Sequence, residues 1–171
     1  MHLAWATFTL NKRFPLTISR GTTAQTQNVW VRVEADGIEG WGEASPFGIG
    51  DHRQSTEQIT EHLARARPLL EPLHTLARTQ VERTLREAGI GSAARAAIDL
   101  ALWDWLGKRT GLAVWQILGL SPDTIVPTSV TIGINPPDVA QQRTRDWLAL
   151  TDARALKIKL GNPAGIEADQ A

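Results

Sequence analysis

The sequence predicts an α+β domain with a three-stranded antiparallel sheet, followed by a βαβ unit of the kind that builds a parallel sheet or barrel. Three observations carry this. Residues 3–43 contain strand-period alternation around an Asp36-Gly37 turn pair, residues 55–111 hold helical spacing, and from Pro127 the pattern switches to strand, helix, strand.

Residues 3–10 interleave Leu3, Trp5, Thr7 and Thr9 with Ala4, Ala6, Phe8 and Leu10, a β-rich run read as a first strand. Residues 28–35 set Val29, Val31 and Val33 against Trp30, Arg32 and Glu34, and Asp36-Gly37 then signals a tight hairpin into residues 38–43. Between the first two strands, residues 14–23 are too long for a tight turn and become polar toward their end, so a functional loop is expected there. Ser55 followed by Gln58 has the form of a capping box, and Ile59, Leu63, Ala66 and Leu70 follow at helical spacing, with Pro68 expected to end or bend that helix. A second helix is expected over residues 78–88, closed by Gly89. The most regular helix starts after Ser92, with Ala94, Ala97, Ile98, Ala101, Leu102 and Trp105 on one stripe and Gly107 or Gly111 as its stop. Residues 128–134 read as a strand, 137–150 as a helix with Pro at its start, and 155–160 as another strand, with a further helix beginning near Ala164.

The length of 171 residues allows one domain and a piece of another, but not a full α/β barrel beside anything else. The 18 basic and 18 acidic residues cancel and neither is gathered into a run, so no nucleic-acid or anionic-membrane partner is expected. The absence of cysteine excludes a disulfide framework and any thiolate ligand or nucleophile. The first residues lack a basic segment leading into an apolar stretch, and no run approaches the roughly 18 apolar residues of a membrane span. A soluble, cytoplasmic protein with a small-molecule substrate is the expectation. His2, His52, His62 and His74 lack ligand spacing and read as surface or core residues.

Chemistry is concentrated in Lys157-Ile158-Lys159. On a strand both ammonium groups point one way, while Leu156, Ile158 and Leu160 point the other. In a parallel barrel the apolar set would face the helices and the lysines would line the interior, where charge is costly unless it is used near a mouth. Crowding two cations together also eases loss of a proton from one of them, as a general base requires. An edge strand with a solvated basic face is the competing reading of the same tripeptide.

The helix Ala94-Arg-Ala-Ala-Ile-Asp-Leu-Ala-Leu-Trp-Asp104, continuing through Gly107-Lys108 and residues 113–119, closely resembles the signature helix of the mandelate racemase and muconate lactonizing group of the enolase superfamily. Gly40-Trp-Gly-Glu43-Ala-Ser-Pro46 resembles that group's GxGE strand end, and Lys157-Ile-Lys159 its K-x-K motif on the second barrel strand. Trp105 and Ile117 depart slightly from the usual residues, and Asp99 and Asp104 read as capping or ion-pair groups rather than catalytic ones. The resemblance implies an α+β N-terminal capping domain over residues 1–122, and over 123–171 the start of an incomplete (β/α) TIM-type barrel.

Within that group the chain most resembles the dipeptide epimerases of the Ala-Glu type. Phe14-Pro-Leu-Thr-Ile-Ser-Arg20-Gly-Thr is similar to their specificity loop, in which an arginine at the position of Arg20 meets a substrate carboxylate, a role suited to a planar guanidinium fork. Thr128-Ser-Val-Thr131 is similar to the T-x-x-T of their first barrel strand beside the substrate. A solvated loop arginine and ordinary β-favouring threonines are the alternatives. The chemistry implied is removal of a proton alpha to a carboxylate by Lys159, helped by Lys157, with Mg²⁺ stabilising the enediolate. The Mg²⁺ ligands and the lysine of the opposite face belong to later strands of such a barrel, and no lysine follows Lys159. This chain alone is therefore expected to be inactive, with a second chain completing the barrel, a homo-oligomer, or a truncated product as possible contexts. Other K-x-K reactions stay open: o-succinylbenzoate synthase, N-succinylamino acid racemase and muconate cycloisomerase. So does a non-catalytic capping-domain module.

Overall fold

The computed structural model describes residues 1–50, 52–162 and 164–170, the side chain of Ala168 excepted. It divides into two compact units, Met1–Leu10 with Thr26–Pro122, and Asn11–Gln25 with Asp123–Ala171. The division cuts through a long hairpin, so its outer end groups with the second half of the chain.

That hairpin corrects the expected loop. Strand β1 runs over His2–Ile18 and β2 over Gly21–Ala35, leaving a two-residue connection at Ser19 and Arg20 that only antiparallel neighbours can use. Gly21, at φ 127°, takes a backbone conformation closed to other residues. Pro15 is tolerated because β1 is an edge strand of the β1-β2-β3 sheet, where a missing N–H need not break the ladder. The polar tail of residues 19–23, suggestive of a loop, is the hairpin tip and the start of β2.

In the first unit, β3 spans Ile38–Ala44 and pairs antiparallel with β2 through the Asp36-Gly37 turn, where φ is 53° and 71°. Val29, Val31 and Val33 are fully buried, while Trp30 and Trp41 stay about two-fifths exposed on the opposite face. A short hairpin of β4 (Phe47–Ile49) and β5 (His52–Gln54) leads into α1, Thr56–Leu70. The predicted capping box is formed: Ser55 Oγ accepts from the Gln58 amide, and Gln58 Oε1 from the Ser55 amide. Pro68 neither ends nor breaks α1. It falls in the last turn on an exposed side of the helix, where the one helix bond it cannot donate is cheap to lose, while Leu70 beyond it is fully buried.

Helix α2 (Arg78–Glu87) and helix α3 (Ser92–Thr110) complete the layer. The C-cap of α3 is Gly111 at φ 69°, the second of the two expected stops. Its N-terminus is capped from a distance: Gln54 Oε1 accepts from the Ala93 amide at 3.0 Å, and Gln54 Nε2 donates to Ser92 Oγ at 3.0 Å. The small-residue stripe of α3 packs directly on β3. A Cβ on Gly40 would strike the Ala101 carbonyl and lie 2.7 Å from the Trp105 amide, and one on Gly42 would strike the Ala97 carbonyl. Glycines alternate on β3 because the helix backbone occupies the space of a side chain. A four-residue helix α4 (Val114–Ile117) and a 3₁₀ turn at Pro122–Thr124 close this part of the chain.

The second unit holds β6 (Ser129–Ile132), α5 (Pro137–Leu150), β7 (Ala155–Ile158) and α6 (Ile166–Gln170). Strands β6 and β7 pair in parallel across α5, the expected βαβ unit. Val130 and Ile132 are buried, whereas Leu156, Ile158 and Leu160 are 41%, 62% and 62% exposed. The apolar side of β7 is thus mostly uncovered, as is α6, where Ile166 is 75% exposed. Among the described residues no helix is long and apolar enough to cross a membrane.

Candidate functional site

Parallel pairing fixes which side chains share a face. Thr131 lies opposite Lys157 in the ladder, and Val130 and Ile132 lie opposite Leu156 and Ile158. Laterally paired residues point the same way, so Thr131 and Lys157 share one face and the apolar set takes the other. The ladder continues one residue past β7, where the Lys159 amide donates to the Ile132 carbonyl at 2.9 Å. Lys159 therefore joins Thr131 and Lys157 on the polar face. Lys157 is exposed and Lys159 half-buried, both toward the C-terminal end of the strand pair.

The apolar face meets α5 mainly through β6, whose Val130 and Ile132 are buried. Ile132, Ile158 and Leu160 line a concavity of about 250 Å³ with Ala140 and Thr144 of that helix, and Lys159 and Asp169 reach its rim at the strand ends. The lysine face is met by the hairpin instead. Continuing the alternation one residue past β6 puts Gly133 on that face, and a Cβ there would lie 2.9 Å from both the amide nitrogen and the carbonyl oxygen of Thr17. The next amide, of Ile134, donates to the Thr17 carbonyl at 2.9 Å. Near the tip, Ser19 Cβ lies 3.7 Å from where a Cβ of Gly161 would be, two residues beyond Lys159. Arg20 follows Ser19 directly, is exposed, and makes no ion pair among the described residues.

The hairpin is also held at its stem. Phe14 meets Trp147 of α5 edge-on at 5.1 Å, the Arg143 guanidinium covers the Phe14 ring at 4.0 Å, and the hydroxyls of Thr17 and Thr22 are 2.9 Å apart across the strands. Four of the five candidate residues, Arg20, Thr131, Lys157 and Lys159, thus belong to one end of this unit. Thr128 does not join them. It precedes β6 at its N-terminal end, and an i, i+3 spacing on a strand puts two side chains on opposite faces.

One acid near the lysine strand is already engaged. Asp169 accepts from the Gly161 amide at 2.8 Å and the Asn162 amide at 3.0 Å, one bond to each carboxylate oxygen. Among the described residues no three of His, Cys, Asp and Glu converge as metal ligands. The described residues do not fit a Mg²⁺ site. Elsewhere, Asp99 pairs with Arg78 and Asp104 with Lys108, both at 2.6 Å, while Asp104 also accepts from the Trp41 amide on the edge of β3. His62 and His74 each accept a backbone N–H at 3.1 Å. Glu43 accepts from Asn28, itself buried, so the acid of the GxGE strand end braces the sheet. The pinning of the hairpin by Gly133 leaves only a slight trace in the sequence, a glycine within the expected strand 128–134, which in the structure falls directly after β6.

Residues 4–119 match the N-terminal domain of the mandelate racemase/muconate lactonizing enzyme family. A "Hydrophobic dipeptide epimerase" from a Flavobacteria bacterium is 43% identical over 95% of this chain and 45% of that protein. Another of the same name from Roseobacter litoralis is 41% identical over 100% of this chain and 48% of its own length. An "L-Ala-D/L-Glu epimerase" from Bacteroides thetaiotaomicron is 31% identical over 94% of this chain and 41% of that protein. Among solved structures, the dipeptide epimerase of Methylococcus capsulatus, complexed with Mg and L-Arg-D-Lys, matches with a TM-score of 0.82 at 32% identity, over 98% of this chain and 47% of that one. That of Enterococcus faecalis, complexed with Mg and L-Leu-L-Tyr, matches with a TM-score of 0.84 at 26% identity, over 98% and 47%. The chain spans about half the length of the relatives it matches. It belongs to the mandelate racemase/muconate lactonizing enzyme family of the enolase superfamily, and residues 4–119 are that family's N-terminal domain.

Proposed function

We propose that this chain supplies the N-terminal domain and first catalytic lysines of a dipeptide epimerase, active once the rest of its barrel is present. The observation that carries the reading is the placement of Thr131, Lys157 and Lys159 on one face of a parallel strand pair, with the Arg20 hairpin lying on the same face. A general base needs reach to the proton it abstracts, and the anion it creates needs a counter-charge nearby.

The neutral amine of Lys159 takes the proton from the carbon alpha to the dipeptide carboxylate. The bonding pair left behind delocalises into that carboxylate as an enediolate, and the Lys157 ammonium, on the same strand face, stabilises the added charge. Inversion requires a proton delivered to the opposite face, and no lysine follows Lys159 in this sequence to deliver it. Relatives crystallised with Mg, but the acids among the described residues do not compose a Mg²⁺ site, so what this chain contributes to the proton transfer is its two lysines.

Arg20 on the hairpin tip favours a dipeptide with an acidic side chain, because a guanidinium fork grips a carboxylate at two points. A second reading, hydrophobic dipeptides, is favoured by the names of the relatives at 43% and 41% identity. A panel of L,L-dipeptides offered to the enzyme assembled with the rest of its barrel separates the two. Preference for Ala-Glu, lost in Arg20→Ala, supports the acidic reading; preference for apolar pairs, unchanged in that variant, overturns it.

A further inference from the structure

We propose that Gly133 is a specificity-positioning residue, registering the Arg20 hairpin against the end of the lysine-bearing strands; this rests on the epimerase reading. The hairpin is fastened at separate points, all within the second unit. Its stem packs Phe14 on Trp147 under Arg143. Its middle is joined at Thr17, whose carbonyl accepts from the Ile134 amide, and its tip lies against Gly161.

The middle contact is the one with no slack. Gly133 has no left-handed backbone requirement, so an alanine there is excluded by space alone. The atoms in the way are the backbone nitrogen and oxygen of Thr17, each 2.9 Å from the added carbon, which no side-chain rotation can remove. The carbonyl of Gly133 is fixed in turn by Asn135 Nδ2 at 2.9 Å. A side chain at position 133 must push the hairpin off the strand end and carry Arg20 with it, three residues from Thr17. The lysines stay in place, since their ladder to β6 does not involve the hairpin. Gly133 therefore governs which substrate side chain is met and leaves the base alone.

Two measurements test this. In the 171-residue chain, hydrogen exchange on Gly133→Ala should show the Ile134 amide opening about tenfold faster or more, with residues 14–23 newly open to protease. Gly48→Ala, whose Cβ would meet Arg53 at an ordinary 3.6 Å, should change neither. If Gly133→Ala instead unfolds the strand pair, seen as lost protection at Val130 and Ile132, Phe14→Leu takes its place, loosening the hairpin from α5 with the same expected acceleration at Ile134. Unchanged Ile134 exchange in the variant that stays folded overturns the proposal. In the assembled enzyme, Gly133→Ala should raise KM about tenfold with kcat within about threefold, and combining it with Arg20→Ala should cost no more than the larger single change. A fall in kcat alone, or fully additive losses, overturns the positioning role. If the unmodified assembled enzyme epimerises no dipeptide, the epimerase reading fails, and the exchange experiment still decides whether Gly133 holds the hairpin.

Discussion

Each side chain of the K-x-K strand has its own expected loss. Replacing Lys159 by Met in the assembled enzyme should lower kcat by about 10²–10⁴-fold with KM little changed, the range for losing a general base. Lys157→Met should also slow turnover, but leave exchange of the alpha proton measurable, because it removes a stabilising charge and not the base. Steady-state kinetics on the two variants checks both. These residues were legible in the sequence because a charged, alternating tripeptide conflicts with the usual interior of a barrel strand. Thr128 was legible only as half of a T-x-x-T pattern. The ladder that begins at Ser129 leaves it at the far end of the strand from Lys159.

Secondary-structure elements in this chain are held by local signals where these exist and by distant partners where they do not. The Ser55–Gln58 box could be read in advance because both of its bonds lie within one turn. The cap of α3 could not, because its donor and acceptor come from Gln54 on another element. The hairpin is not legible for a related reason: residues 14–18 carry Pro15 among β-favouring neighbours, and their strand is specified by its partner strand and by docking of Phe14 on α5. Ser55→Ala should cost about 1 kcal/mol of stability by denaturant melt at neutral pH. The Ser55 hydroxyl, then the backbone, holds the fully exposed Glu57 carboxyl below its ordinary 4.5. A lowered folded value means that this contribution is present above the unfolded value and is lost as pH falls through the folded one. The effect of Ser55→Ala should thus be smaller in acid than at pH 7. Gly42→Ala should be costlier, about 1–3 kcal/mol or more, since the obstructing atom is the carbonyl of Ala97 on the buried face of α3.

Across the whole chain, the two units differ in how much they bury. The first closes on a core that includes Val31, Ile59, Leu63, Leu85, Ile98 and Leu102, each 0 or 1% exposed. Burial of one such side chain is worth about 1.5–3 kcal/mol. In the second, Val130, Ile132 and Ala153 are the buried apolar residues among those described, and β6 and β7 leave parallel edges open. The 171-residue chain should therefore lose protection in Asp123–Ala171 at lower denaturant than in Thr26–Pro122, as read by hydrogen exchange. Sequence pattern gave the strand, helix, strand order of this segment, but not that Asn11–Gln25 groups with it, since that pairing joins residues more than a hundred positions apart.

The central claim, that these lysines serve an epimerase completed by further barrel strands, is tested most directly by solvent deuterium entering the alpha position of an L,L-dipeptide, followed by proton NMR in D₂O. The account predicts incorporation with inversion by the assembled enzyme, none by the 171-residue chain alone, and none when Lys159 is Met. Incorporation by the isolated chain, or undiminished incorporation without Lys159, would contradict it.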